Sequence, residues 1–147
     1  MSILNEYKDS LLFEYQNEFW NERGKGARYR LTLVGTEYLA TKLKDPADVA
    51  EIIDLFKKEG FCSGIEMTED GYAIRLEVSG CAFRHIRDSF MDQNLQPLSC
   101  PIVNALMRAI EIKTGLAPEL LPIAREGNKC MVGLGKMATS DVVVEVN

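Results

Sequence analysis

The chain is 147 residues long, 46% hydrophobic and 27% charged, with a formal net charge of −5. That is room for one domain with a real core and not for two. The acidic balance excludes nucleic acid as the main partner, because phosphate binding needs concentrated Lys and Arg. The richest basic stretch, residues 23–30, reads as a short solvated linker between two helical patterns. No run approaches the roughly 18 uninterrupted apolar residues of a membrane span, and an N-terminus without a basic region is not a signal peptide. The expectation is a cytoplasmic chain with reduced thiols.

Residues 1–26 predict a terminal helix. Leu4, Tyr7, Leu11, Tyr15 and Phe19 recur at helical spacing, and Ile3, Leu12, Phe13 and Trp20 widen the stripe. So broad a face suits a core, and also a dimerisation surface on a second copy. Gly24 and Gly26 end it. Residues 28–44 suit a second helix along Leu31, Val34, Tyr38 and Leu39, with a strand over 28–34 as the alternative. Gly35 inside it implies close approach of another helix. Asp45 and Pro46 then read as N-cap and first residue of a third helix, with Val49, Ile52, Ile53 and Phe56 on one face and Gly60 past its end.

The pattern next changes to period two. Ile65 and Met67, then Ile74, Leu76 and Val78, flank Glu69-Asp70-Gly71, which predicts a hairpin. Residues 82–95 form a short helix or an ordered loop that Pro97 ends. Ser99 is placed to cap a central helix with Pro101 in its first turn; this helix is apolar around most of its girth and stops at a left-handed Gly115. Residues 116–125 and 129–137 make a second hairpin around Glu126-Gly127-Asn128. Pro118 and Pro122 confine its first strand to an edge or bend it, and Cys130, Val132 and Leu134 share one face of the second. Residues 138–147 are a tail. The fold class is α+β: N-terminal helices, hairpin, central helix and hairpin, with one antiparallel sheet covered by helices, in a single domain whose core spans residues 28–137.

Several of these residues carry a family resemblance: Cys81, the segment Pro97, Leu98, Ser99, Cys100 and Pro101, the helix ending Thr114-Gly115, and Gly127-Asn128-Lys129-Cys130. The chain resembles the 4-vinyl reductase (hydrocarbon-binding) domain family, whose relatives include transport protein particle (TRAPP) subunits and the sensory domains of aromatic-responsive activators. The resemblance covers residues 28–137 in architecture and 81–136 in motifs. It implies a space between central helix and sheet that accepts hydrophobic molecules. Zinc-binding members carry a Glu and a Cys close together before the final Gly turn. This chain keeps Glu119, but has Leu121 and Pro122 where the thiolate belongs and Asn128 where the turn has Asp.

Four groupings are candidates for function. Cys81, Cys100 and Cys130, with His85 four residues after Cys81, make a chemically sensible tetrahedral site for zinc or iron; the alternative is that the cysteines pack as small apolar groups. Cys100 at a helix N-terminus has the dipole to lower its pKa, with His85 as the available base. Ile74, Leu76, Ile102, Leu106, Ile110 and Val132, with Phe83 and Phe90 as a lid, form either an apolar ligand pocket or a packed core. Arg84 and Arg87, beside Asp88 and Asp92, hold an acidic ligand group or make solvated pairs such as Arg84 with Asp88.

No catalytic set emerges. The leading expectation is a sensory domain that binds a hydrophobic small molecule, homodimeric through its N-terminal helices and passing its signal to a regulatory protein. A cysteine-based metal or redox domain is the alternative, and a scaffold that binds only proteins is the third.

Overall fold

The computed structural model describes residues 2–23, 31, 33–97 and 99–136. The expected helix breakers Gly24 and Gly26, most of the expected strand or helix over 28–34, Leu98 and the 138–147 tail lie outside the described residues. Among the described residues five strands form one antiparallel sheet: β1 (Gly64–Glu69), β2 (Ala73–Ser79), β3 (Glu119–Leu120), β4 (Ala124–Glu126) and β5 (Lys129–Gly135). The order is β1-β2-β5, with β3 and β4 both pairing with the far side of β5. The helices are α1 (Ile3–Arg23), α2 (Thr36–Ala40), α3 (Val49–Lys58), α4 (Arg84–Met91) and α5 (Pro101–Thr114). The architecture is the expected α+β arrangement.

The first hairpin closes where the Asp-Gly signal put it. Glu69 pairs with Ile74, and the Asp70 carboxylate accepts the Tyr72 and Ala73 N–H groups at 2.7 and 2.8 Å. Its strands differ in burial: β2 sits between β1 and β5 and buries Ala73, Ile74, Leu76 and Val78, whereas β1 is an edge strand with Met67 exposed.

The second hairpin shows what the prolines do. The run before Gly127 is one edge strand in two pieces, β3 and β4, interrupted at Leu121-Pro122-Ile123, because proline has no N–H for the ladder. Gln96 repairs the break from across the molecule. Its amide accepts from Ile123 N at 2.7 Å and donates to Ile123 O at 3.1 Å. Leu121 lies over Gly133: a Cβ there would meet Leu121 Cδ1 at 3.2 Å, a tight contact that the leucine side chain would have to give way to by a few tenths of an ångström.

The core lies between the sheet face of Ile74, Leu76, Val78, Cys130, Val132 and Leu134 and two helices, α3 through Ile52 and Phe56 and α5 through Ile102, Val103, Ala105, Leu106 and Ala109. Half of α5's 14 residues are buried, as a central helix requires, and Gly115 ends it at φ 79°.

Three local expectations change. The α3 N-cap is Asp48, not Asp45. The Asp48 carboxylate accepts Ala50 N at 3.0 Å and Glu51 N at 3.3 Å, while Glu51 turns back onto the Lys44 and Asp45 N–H groups at 2.7 and 3.0 Å. Asp45 with Pro46 instead forms a preceding turn, in which the Asp48 N–H donates to Asp45 O at 3.0 Å. Gly35 is not a helix–helix contact: it is the N-cap of α2 at φ 87°, with nothing within 4 Å of a Cβ, so backbone conformation is its reason for being glycine. Finally, Cys100 rather than Ser99 occupies the N-cap of α5, with Pro101 as the first helical residue.

Candidate functional site

Four segments converge beside the start of α5. Cys81 follows β2, Cys100 caps α5, Cys130 is the second residue of β5, and α4 contributes Ile86 and Arg87. Together Cys81, Phe83, Ile86, Arg87, Pro97, Ser99, Cys100, Pro101, Ile123 and Cys130 line one crevice. It encloses about 20 Å³ that a water could occupy, within about 350 Å³ of atom-free space that includes its open mouth. The enclosed part therefore has room for about one water.

Its walls are apolar or thiol, with Arg87 and the buried Ser99 as the polar exceptions. All three thiols are held protonated. Burial pushes Cys100 up to about 12 from 9.0, against the pull of the Val103 and Ile102 N–H groups and with Cys81 and Cys130 pushing the same way. Burial likewise raises Cys81 and Cys130, although Cys81 accepts the Phe83 N–H at 3.3 Å and Cys130 accepts a hydrogen bond from Arg87. The expectation of a dipole-activated Cys100 is thus overturned: desolvation outweighs the helix terminus.

His85 is exposed and does not line the crevice. The reason is geometric. α4 begins at Arg84 with Phe83 as its N-cap, so Cys81 stands before the helix and the i,i+4 relation never forms. Among the described residues no group of three or more His, Cys, Asp or Glu is placed to hold a metal ion. The sulfurs share a cavity without the imidazole.

The eight residues expected to line a pocket between α5 and the sheet divide. Ile74, Leu76, Ile102, Leu106 and Val132 are mutually packed core, with Phe83 and Ile110 packed against it. Phe90 is buried elsewhere, edge-to-face with Phe13 of α1 at 4.7 Å, whereas Phe83 stands edge-on to Phe61 at 6.1 Å. The two phenylalanines do not form one lid.

The Arg84–Asp88 pair is not made either. Arg84 donates to Cys81 O at 3.2 Å, and Asp88 Oδ1 instead accepts Arg87 Nε at 3.0 Å and Arg125 at 2.9 Å. Arg125 also reaches Asp92 at 2.7 Å, tying β4 to α4. Burial alone would raise the Asp88 carboxyl, but the two guanidiniums together hold it below the usual range.

Two residues that sequence reasoning passed over position this region. Gln96 fixes Ile123 in the crevice wall. Gln16 of α1, buried, accepts the Ser99 N–H at 3.1 Å. Both contacts join residues far apart in the chain, and polar residues on otherwise unremarkable segments give no local signal for them.

A larger groove, about 480 Å³ and wide open, runs between α2 and α5 past Leu33, Thr36, Glu37, Ala40, Pro46, Arg108 and Ile112. Arg108 is paired with Glu111 there, which leaves the groove little distinctive chemistry.

Among the described residues no helix is long and apolar enough to cross a membrane. Compared with protein-family models, characterised proteins and solved structures, the chain matches none.

Proposed function

We propose that this chain is a non-catalytic small-molecule-binding domain of the 4-vinyl-reductase-like kind, with its site at the crevice where α5 begins. The observation that carries this reading is the convergence of Cys81, Cys100 and Cys130, from three separate segments, on one apolar cavity beside a guanidinium. Protonated thiols suit binding better than nucleophilic attack, since the thiolate is the reactive form. Small-molecule sites usually measure 300–1,000 Å³, so an occupant larger than water enters only as α4 swings outward. Such a movement reaches α1 directly, through Phe90 against Phe13, while the Ser99 wall is bonded to Gln16. Binding thereby becomes a change in α1 that a partner protein reads.

Native mass spectrometry of the full chain purified from cells tests this. An apolar molecule should co-purify and be lost when Ile123→Phe fills the crevice. Wild-type protein that carries no such molecule and shows no shift in melting temperature with apolar probes overturns the reading. Three sulfurs on one cavity also favour a second reading, a soft-metal or redox-responsive domain. Stoichiometric zinc or iron in untagged protein, lost in Cys100→Ser, would establish that instead.

We also infer a homodimer through α1. Leu4, Leu12, Tyr15 and Phe19 are 43–65% exposed and fall within about 80° of the helix surface. Phe13, Gln16 and Trp20 occupy the side turned to the domain. Lys8 stands within the outward stripe, and Glu18 lies beside it. Antiparallel pairing of two copies sets Leu4 against Phe19 and Lys8 beside Tyr15 and Glu18, whereas parallel pairing opposes the two lysines. Sedimentation decides: the wild type should run as a dimer and Leu12→Glu as a monomer. A monomeric wild type removes the proposal.

A further inference from the structure

We propose that the crevice selects molecules with an anionic head on an apolar body, and that Arg87 is the residue that selects them. The proposal rests on the crevice being the binding site. The Arg87 side chain is only 11% exposed, and a buried charge is tolerated only where it is paired. Its Nε–H goes to Asp88 Oδ1, an oxygen it shares with Arg125, and it donates to the Cys130 sulfur. A guanidinium has five N–H donors, more than these contacts use.

Among the described residues no carboxylate lines the cavity, the remaining polar side chain there is Ser99, and the thiols are held protonated by burial. A carboxylate is the group that accepts two parallel N–H bonds from a guanidinium fork. The enclosed part of the crevice holds about one water, so head and body together enter with the outward movement of α4 proposed above, and Phe83, Ile86, Pro97 and Ile123 offer the apolar body its contacts. An uncharged hydrocarbon would enter the same space and leave the fork unanswered, which is where selectivity arises.

Paired probes of equal shape test this on the full chain by calorimetry: phenylacetate against 2-phenylethanol, and hexanoate against hexanol. Each acid should bind about tenfold to a hundredfold more tightly than its alcohol, the worth of one charge-assisted contact. In Arg87→Gln that preference should fall below about threefold, with alcohol binding unchanged, and Arg87→Lys should restore part of it. Alcohols that bind the wild type as tightly as the acids overturn the selectivity and leave the binding reading standing. Acids that keep their preference in folded Arg87→Gln remove Arg87 from the role. Neither class binding ends both readings. The wild-type comparison stands even where a variant fails to fold.

Discussion

α5 and α1 are both helices with broad apolar faces, and the structure uses them in opposite ways. α5 packs with α3 and the sheet face around one core, and half of its residues are buried. α1 buries only Gln16 among its described side chains, and leaves Ile3, Leu4, Tyr7, Leu12, Tyr15 and Phe19 exposed. It reaches the domain through α4 and the Ser99 amide. Apolar width is therefore a statement about how many neighbours a helix can accept. α5 finds them inside its own domain, while α1 finds few and has surface left for others.

The sharpest break in that comparison is a cavity in α5. Leu106→Ala, at a position 1% exposed, should cost about 2–5 kcal/mol, read as a lower urea midpoint with unchanged slope. A loss below about 1 kcal/mol would mean that the centre of the domain lies elsewhere.

Phe13→Ala does less and does it locally. Its edge contact with Phe90 is worth about 1 kcal/mol, and the loss should appear as faster amide exchange in α1 and α4 while α5 and β5 keep their protection. Uniform acceleration across the chain would make α1 part of the same cooperative unit and erase the contrast.

A pH measurement probes the junction of the two regions. The Cys100 thiol is raised in the folded state from 9.0 to about 12 by burial. Raised pKa means that the folded form holds its proton longer than the unfolded one. The associated stability is thus complete below about pH 9 and lost as pH climbs toward 12. Cys100→Ala should flatten the alkaline limb of the stability profile relative to the wild type. Equal limbs in both proteins would place the thiol in contact with water.

The smallest effect belongs to the outer face of α1. Leu12→Glu should change the stability of the domain by less than about 0.5 kcal/mol while altering its association. A large loss of stability would show that this face is packed against its own domain.

The sheet was legible because its signals are local. Asp70-Gly71 between alternating runs and Pro122, which interrupts an edge strand, each state their conformation within a few residues, as Gly115 does for the end of α5. The N-cap of α3 is ambiguous in sequence because two aspartates stand within four positions, and only the structure shows that it is the Asp48 carboxylate that accepts the Ala50 and Glu51 N–H groups. Gly35 misled because a glycine needed for positive φ looks the same in sequence as one needed for close approach.

The candidate site was legible in its residue types and not in its arrangement. Composition and periodicity by themselves determine an α+β domain with a central apolar helix, since burial of alternating and helical stripes is dictated by repeat alone. Only the tertiary structure decides that His85 faces outward, that Arg87 turns to Cys130 and the crevice, that Phe83 and Phe90 part company, and that Gln16 and Gln96 brace the walls. Each of these depends on where one element ends and another crosses it. A thiol's pKa follows the same rule: the helix start that would lower it is written in the sequence, but the burial that raises it belongs to the fold.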